Sequence, residues 1–279
     1  MEREVVKIYD TSLRDGLRNS DVAMNLEQKL RFARQLEQLN VDAIEVGYGG
    51  PSQIDTMQKL AESITGSAVY GLSRVNLKDV DRVLEGVGRA QTPGVNIFSP
   101  TSNDFLKRAK KTWQQAINDT AVAVAHAKKH VDHIIFSAQD ASRADPVLLV
   151  RIFNAAIEAG ATAVSIADSV SYAVPSQFGS LCQFLRSQVV NSAQVTWSVH
   201  CHNEIGLAVA NSLAAIENGI RQVECTVDGI GEGEGNTSLQ LIVRALKSRA
   251  DVFKSVTTAV VAEHFPTTDQ LLTEIREAA

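Results

Sequence analysis

Several features that would assign this 279-residue chain to a class of protein are absent or scarce. Its three cysteines show no spacing of a disulfide framework, which indicates a reducing compartment. The segment Glu2–Glu4 is charged and no apolar core of the signal-peptide type follows it, so we expect a cytoplasmic protein. No apolar run approaches the roughly 18 residues of a membrane span, so no membrane partner is expected.

Basic residues are also not in excess, because the formal net charge is −5. We therefore expect no basic surface for nucleic acid. The sequence is 44% hydrophobic and 21% charged. It shows no linker, low-complexity tract or short repeat. This composition is typical of one large α/β domain, since barrels of roughly 250 residues fold as single units.

Short apolar segments alternate with amphipathic segments of helical period along the chain. The predicted strands are Val5–Tyr9, Ala43–Val46, Ala68–Leu72, Val95–Phe98, Asp132–Phe136, Ala163–Ala167, Val195–Val199 and Gln222–Thr226. The predicted helices cover residues 26–39, 53–63, 78–86, 104–129, 146–159, 175–190, 206–218 and 237–248. Eight such units predict an α/β fold, the (β/α)8 TIM barrel, over residues 1–250. The alternative is a doubly wound open sheet.

The remaining residues, 251–279, are predicted to form a C-terminal helical extension that packs on the barrel and is broken at Pro266. Polar residues fall mostly just after the predicted strands. These are Arg14, Asp15, Glu45, Thr101, Ser102, Gln139, Asp140, Asp168, Ser169, His200, His202 and residues 232–236. Because the loops after barrel strands converge on one rim, we expect a functional site there.

The segment Ser198–Glu204 contains two histidines, His200 and His202, at the end of an apolar alternating run. Residues i and i+2 of a strand point to the same face, so both imidazoles project together, as a divalent metal requires. The alternative is a pair of structural histidines held by hydrogen bonds. Cys201, between them, is predicted to point away into the core.

Two other segments supply candidate partners for these histidines. Asp10–Gly16 contains Arg14, which could hold an anionic substrate, and Asp15, a candidate carboxylate ligand; a loop ion pair is the alternative. Gly229–Asn236 is a glycine-rich loop before a helix, which could cradle phosphate, although its two glutamates argue against bare phosphate. Asn236 could supply a carbonyl ligand or simply cap that helix. Such a ligand set suits Mg, Mn or Zn.

Together, Asp10–Gly16, His200–Glu204 and Gly229–Asn236 resemble the metal-dependent lyase and synthase TIM-barrel superfamily. This superfamily includes 2-isopropylmalate synthases, homocitrate synthases, hydroxymethylglutaryl-CoA lyases and 4-hydroxy-2-oxovalerate aldolases. Phe136–Arg143 and Gly206–Ala215 most resemble the 2-isopropylmalate synthase branch. The resemblance implies a divalent-metal-dependent acyltransferase that condenses acetyl-CoA with a 2-oxo acid in a Claisen condensation. Dimers are common among such barrels, so we expect a homodimer.

The resemblance also implies roles for individual residues. The implied metal ligands are Asp15, His200, His202 and Asn236. Arg14 would face the oxygen atoms of the substrate, and Glu45 would orient Arg14. Ser169 would contact the carboxylate of the 2-oxo acid.

Four positions depart from the pattern of the synthases. Leu17 and Arg18 stand where the synthases usually have Glu-Gln, Gln139 stands for a Glu, and Asn96 stands for a His. Because Gln and Asn cannot exchange protons near neutral pH, either the substrates or the reaction differ. Arg18 and Asn96 are therefore kept as candidate substrate-binding residues, and Gln139 as a candidate catalytic residue beside Arg14 and Glu45.

Two other functions remain open on the same barrel. The first alternative function is that of a lyase or aldolase. Against it, Gly229–Asn236 lacks the cysteine that the lyases have, and Arg18 stands where the aldolases have a catalytic histidine. A catalytically inactive binding subunit is the second. The synthases continue into a linker and often a regulatory domain, whereas this sequence ends at Ala279, so we expect no feedback by an end product.

Overall fold

Eight parallel strands close into a barrel in the computed structural model, which describes residues 3–278. Glu2 of the charged N-terminal segment and the last residue of the predicted extension lie outside the described residues. Two strands, β1 (Glu4–Val5) and β10 (Val256–Thr257), form a separate small sheet. The barrel strands are β2 (Lys7–Asp10), β3 (Ala43–Tyr48), β4 (Ala68–Arg74), β5 (Pro93–Pro100), β6 (His133–Gln139), β7 (Ala163–Asp168), β8 (Thr196–Cys201) and β9 (Gln222–Cys225).

The helices surround this barrel. They are α1 (Leu26–Gln38), α2 (Ile54–Ser63), α3 (Leu77–Val87), α4 (Asn103–Arg108), α5 (Trp113–Ala127), α6 (Pro146–Glu158), α7 (Pro175–Gln188), α8 (Ala208–Glu217), α9 (Leu239–Ser248) and α10 (Phe265–Glu277). Because β2 pairs with both β3 and β9, the sheet has no edge, so the predicted TIM barrel is confirmed and the open sheet is wrong. None of the helices within residues 3–278 has the length and apolar content that crossing a membrane requires.

The start of the first predicted strand is wrong. Val5 pairs with Thr257 in the small sheet and is 45% exposed, whereas barrel pairing begins at Lys7, opposite Gln222. The apolar run over Val5–Tyr9 therefore covers two strands, since consecutive residues leave one sheet and enter another.

The single helix predicted over residues 104–129 is also wrong, because α4 and α5 are separate. Lys110 has a φ of 54°, in the left-handed region that ends a helix. Thr112 then starts α5 with a capping box, in which its hydroxyl accepts from Gln115 N while the Gln115 side chain accepts from Thr112 N. The capping signal outweighs the continuous helical period.

Pro266 does not break a helix as predicted, because it lies in the first turn of α10. The N–H that proline lacks has no intrahelical partner at that position, so proline favours the start of a helix. α10 packs on α1, where Gln35 Nε2 donates to Thr268 Oγ1 at 3.1 Å. The division of the chain near residue 250 stays a prediction.

Polar side chains fill the middle of the barrel interior, above an apolar layer. Tyr9 Oη and Asn96 Nδ2 both donate to Glu45 Oε1, at 2.9 and 3.2 Å. Asn96 Oδ1 accepts from Ser137 Oγ at 2.7 Å. The apolar layer is made by Tyr9, Ala43, Tyr70, Ile135 and Ala163. A buried polar layer of this kind is stable only when its groups are hydrogen-bonded. These hydrogen bonds fix the side chains that lie directly below the loops of the rim.

Candidate metal centre and active site

The end of β8 and the loop after β2 bring three metal-ligating side chains together. Asp15 Oδ2 lies 3.3 Å from His200 Nε2 and 3.6 Å from His202 Nε2. One ligand atom from each of the three residues lies within 4.8 Å of the others. The alternation along β8 turns both imidazoles towards the same space, as the i, i+2 spacing predicts.

The loop that carries Asp15 is held at both of its ends. At its start, the Asp10 carboxylate accepts from Ser12 N at 2.9 Å and from Ser12 Oγ at 3.0 Å. Ser12 Oγ in turn accepts from Val227 N at 2.8 Å, which ties the loop to the end of β9. At its end, a Cβ on Gly16 would lie 2.5 Å from Ser12 O, so only glycine fits beside this backbone.

Asp10 itself gives a pH-dependent prediction. Burial raises the pKa of Asp10 from 3.8 to about 7, although its bonds from Ser12 lower it. The folded state therefore binds more protons than the unfolded chain between about pH 4 and pH 7, and stability falls as pH rises through that window. Wild type is expected to lose on the order of 1.4 kcal/mol per pH unit relative to Asp10→Asn, measured by urea unfolding with EDTA. Parallel pH profiles for the two proteins would contradict this.

Arg14 bridges the candidate ligand Asp15 and the barrel interior. Its Nε donates to Glu45 Oε2 and one terminal nitrogen donates to Asp15 Oδ1, both at 2.5 Å. Burial alone raises the pKa of Asp15, but the positive charges of Arg14 and His200 outweigh it and hold that pKa well below its usual range. Asp15 is therefore a carboxylate. A guanidinium has five N–H donors, so three remain for a substrate.

The two histidines differ in their affinity for a proton. Burial lowers the pKa of His200, but Asp15 and Glu224 outweigh it and raise that pKa to about 10. Burial and the nearby charge of His200 lower the pKa of His202 to about 4. His200 therefore holds a proton near neutral pH in the absence of another cation, and His202 offers a free lone pair.

The charge and the unpaired atoms of this cluster suit a divalent cation. The cluster contains three buried carboxylates, Asp15, Glu45 and Glu224, and one guanidinium, that of Arg14, which pairs with Asp15 and Glu45. With neutral histidines the cluster carries two uncompensated negative charges, which a divalent ion neutralises. Asp15 Oδ2 is also buried without a hydrogen bond of good geometry.

Asn236 lies on the same side of the rim, where it forms a β-bridge with His202. Its Nδ2 donates to Ile230 O at 3.0 Å, which orients the amide and leaves the buried Oδ1 without a partner. The alternative role of Asn236 as a helix cap is wrong, because Ser238 caps α9 by accepting from Leu241 N. An oriented carbonyl oxygen without a donor fits a metal ligand.

Two carboxylates next to the histidines are not among the residues that we predicted for the site. Glu224 Oε2 lies 3.3 Å from His200 Nδ1, and Glu204 Oε1 lies 3.8 Å from His202 Nδ1. A charged residue in the middle of the predicted strand Gln222–Thr226 is a signal that the sequence offers for Glu224, since a buried carboxylate needs a partner. The pairing with His200 depends on strand register, which the sequence does not show.

The other predicted site residues lie in different surroundings. Asn96 is held in the hydrogen-bonded layer below the cluster. Ser169 Oγ accepts from Asp140 N at 3.0 Å and keeps its own proton for a further acceptor. Gln139 is half-buried at the end of β6, and no residue among 3–278 hydrogen-bonds its side-chain amide. Arg18 is 60% exposed beside Glu232 at 3.4 Å, outside the buried cluster.

Comparison with known proteins identifies the family. The sequence matches the HMGL-like family over residues 5–272. The chain belongs to the HMGL-like family. The predicted resemblance to the metal-dependent lyase and synthase barrels is thereby confirmed.

Curated relatives of this HMGL-like chain are 2-isopropylmalate synthases. The protein of that name from Syntrophus aciditrophicus is 43% identical over 277 residues, which cover 98% of this chain and 54% of the relative. Its counterpart from Lysinibacillus sphaericus is 40% identical, over 97% of this chain and 53% of the relative. The chain therefore spans about half the length of the curated relatives it matches.

Solved structures similar to the HMGL-like barrel include HMG-CoA lyases. The enzyme from Bacillus subtilis superposes with a TM-score of 0.82 at 21% identity, covering 99% of this chain and 96% of that one. The enzyme from Pseudomonas aeruginosa gives a TM-score of 0.81 at 20% identity, with 98% and 94% covered. At this identity the likeness shows the fold alone.

Proposed function

We propose that this HMGL-like barrel carries the catalytic site of an acyltransferase that condenses acetyl-CoA with a 2-oxo acid, as in a 2-isopropylmalate synthase. The observation that carries the proposal is the buried convergence of Asp15, His200 and His202 beside Arg14. The similarity to 2-isopropylmalate synthases over most of the chain supports the choice of reaction. Mg, Mn and Zn all suit the ligand set, with Asn236 as a fourth ligand.

Each residue of the cluster has a separate task in this reaction. A divalent ion bound there supplies a Lewis acid for the ketone of the 2-oxo acid. Glu45 and Asp15 each accept one hydrogen bond from the Arg14 guanidinium and so fix its orientation. The remaining N–H groups of Arg14 stabilise the developing alkoxide. Ser169 keeps a free O–H, with which it donates to the carboxylate of the 2-oxo acid.

The test of the reaction is release of coenzyme A thiol from acetyl-CoA, followed with a thiol reagent. Purified protein is assayed with Mg, Mn or Zn and a panel of 2-oxo acids, and each mixture is repeated without metal and without acid. We expect release that needs both. Silence across the panel contradicts the proposal, and release of pyruvate or a ketone from a hydroxy-acid substrate shows a lyase or aldolase instead. Metal bound without turnover shows an inactive binding barrel.

Gln139 stands where the synthases usually have a glutamate, and Gln139→Glu tests whether the lack of that carboxylate limits the reaction. Gln139 makes no side-chain hydrogen bond within residues 3–278, so a Glu at this position is free to act as a base. We expect thiol release to rise, up to the roughly 10²–10⁴-fold that general base catalysis contributes. Gln139→Met, which adds no base, should not raise the rate. An unchanged rate for Gln139→Glu would indicate a different reaction.

We also propose that the protein is a cytoplasmic homodimer. The free cysteines Cys182, Cys201 and Cys225 are all buried, which supports a reducing compartment. Light scattering on the purified protein tests the dimer, since a mass equal to one chain at micromolar concentration would contradict it.

A further inference from the structure

We infer that Glu224 is a positioning residue that holds His200 in the tautomer and orientation needed for metal binding; the inference rests on the proposed metal site. Glu224 and His200 are Cα partners in the parallel pair of β9 with β8. Glu224 Oε2 lies 3.3 Å from His200 Nδ1, and that nitrogen is buried without another hydrogen-bond partner within residues 3–278.

The Glu224 carboxylate is itself fixed by two serines of the barrel interior. Its Oε1 accepts from Ser165 Oγ at 2.5 Å and from Ser198 Oγ at 3.0 Å. Ser198 Oγ also accepts from Gln222 Nε2 at 3.2 Å, so the serine that holds the carboxylate is held in turn. Because both serines bond to Oε1 of Glu224, Oε2 stays directed at the His200 imidazole.

A fixed acceptor beside Nδ1 determines where the proton of a neutral His200 resides. With the proton on Nδ1, the lone pair of Nε2 is free and faces Asp15 Oδ2, 3.3 Å away. A carboxylate partner of this kind also makes the ligating nitrogen more basic. Glu224 therefore acts on the metal through His200 and does not need to touch it.

Glu204 provides the matched comparison within the same chain. It faces His202 Nδ1 in the same way, but at 3.8 Å, and its side chain is 40% exposed. Its other oxygen accepts from Ser171 Oγ. Water competes for an exposed carboxylate, so the hold of Glu204 on His202 is weaker than that of Glu224 on His200.

The experiment compares Zn²⁺ affinity in wild type, Glu224→Gln and Glu204→Gln by competition with a chromophoric chelator. A glutamine can keep the serine bonds through its oxygen, but it then presents an N–H to the Nδ1 proton. We expect about 10–100-fold weaker binding for Glu224→Gln, the usual effect of losing such a partner, and less than about threefold for Glu204→Gln. Equal losses in the two variants, or an unchanged Glu224→Gln affinity, overturn the inference.

Two further measurements keep the inference testable and separate it from the proposed function. Nitrogen-15 NMR of the zinc-loaded protein should show His200 protonated on Nδ1 in wild type, and a different His200 pattern in Glu224→Gln. If Glu224→Gln does not fold, the double variant Ser165→Ala/Ser198→Ala decides, since freeing the carboxylate should weaken Zn²⁺ binding several-fold. An unchanged affinity there overturns the inference, whereas a wild type that binds no metal overturns the proposed function itself.

Discussion

His202→Ala is expected to purify as a folded protein that binds no metal and releases no thiol from acetyl-CoA. Because the pKa of His202 is low, its imidazole is neutral near pH 7, and removing it leaves no buried charge unpaired. The barrel should therefore keep its thermal stability without metal. Loss of a direct ligand should weaken metal binding by more than the roughly 10–100-fold that an outer partner contributes. Losing several kcal/mol of Lewis-acid stabilisation corresponds to a rate at least about 10³-fold lower.

Elemental analysis after gel filtration measures the metal, and thermal unfolding with EDTA measures the fold. His133→Ala is the control, because His133 is exposed at the opposite end of the barrel, where β6 begins, and should keep metal and rate. Stoichiometric metal retained by His202→Ala would remove this histidine from the ligand set.

Arg14→Met is expected to lower the free energy of unfolding of the metal-free protein by about 3–5 kcal/mol. Removing one partner of a buried ion pair leaves the other charge without compensation, and here both Asp15 and Glu45 lose a 2.5 Å contact. For a chain of this length the loss corresponds to a melting temperature about 6–20 °C lower, measured by calorimetry with EDTA. The variant should also lose condensation activity when metal is restored.

Arg18→Met is the matched control, since that arginine is exposed beside Glu232 and its loss should change stability by no more than about 0.5 kcal/mol. The deficit of Arg14→Met should also shrink as the pH falls towards 5. Burial already raises the pKa of Glu45, and without Arg14 this pKa rises further, so a protonated Glu45 is the less costly form to bury. Equal stability of the two arginine variants would contradict the role given to Arg14.

The three candidate metal ligands could be predicted from the sequence. His200 and His202 project together because side chains alternate in a strand, and Asp15 reaches them because loops after barrel strands share one rim. Both inferences use local periodicity and a general property of the fold, and neither needs the register of neighbouring strands.

The parts that depend on register or on local capping could not be predicted in the same way. Glu224 faces His200 because β8 and β9 pair in one particular register, which no local pattern in the sequence specifies. Pro266 starts a helix and does not break one, since its effect depends on its position in the first turn. Arg18 follows Asp15 closely, yet its loop directs it to solvent.

Anomalous diffraction from a crystal soaked in Mn²⁺ or Zn²⁺ is the most direct test of the central claim. We predict one strong peak within coordination distance of Asp15 Oδ2, His200 Nε2 and His202 Nε2, about 2.0–2.2 Å away for zinc. A fully soaked crystal with no peak between these three atoms, or with its peak at another site, would contradict it.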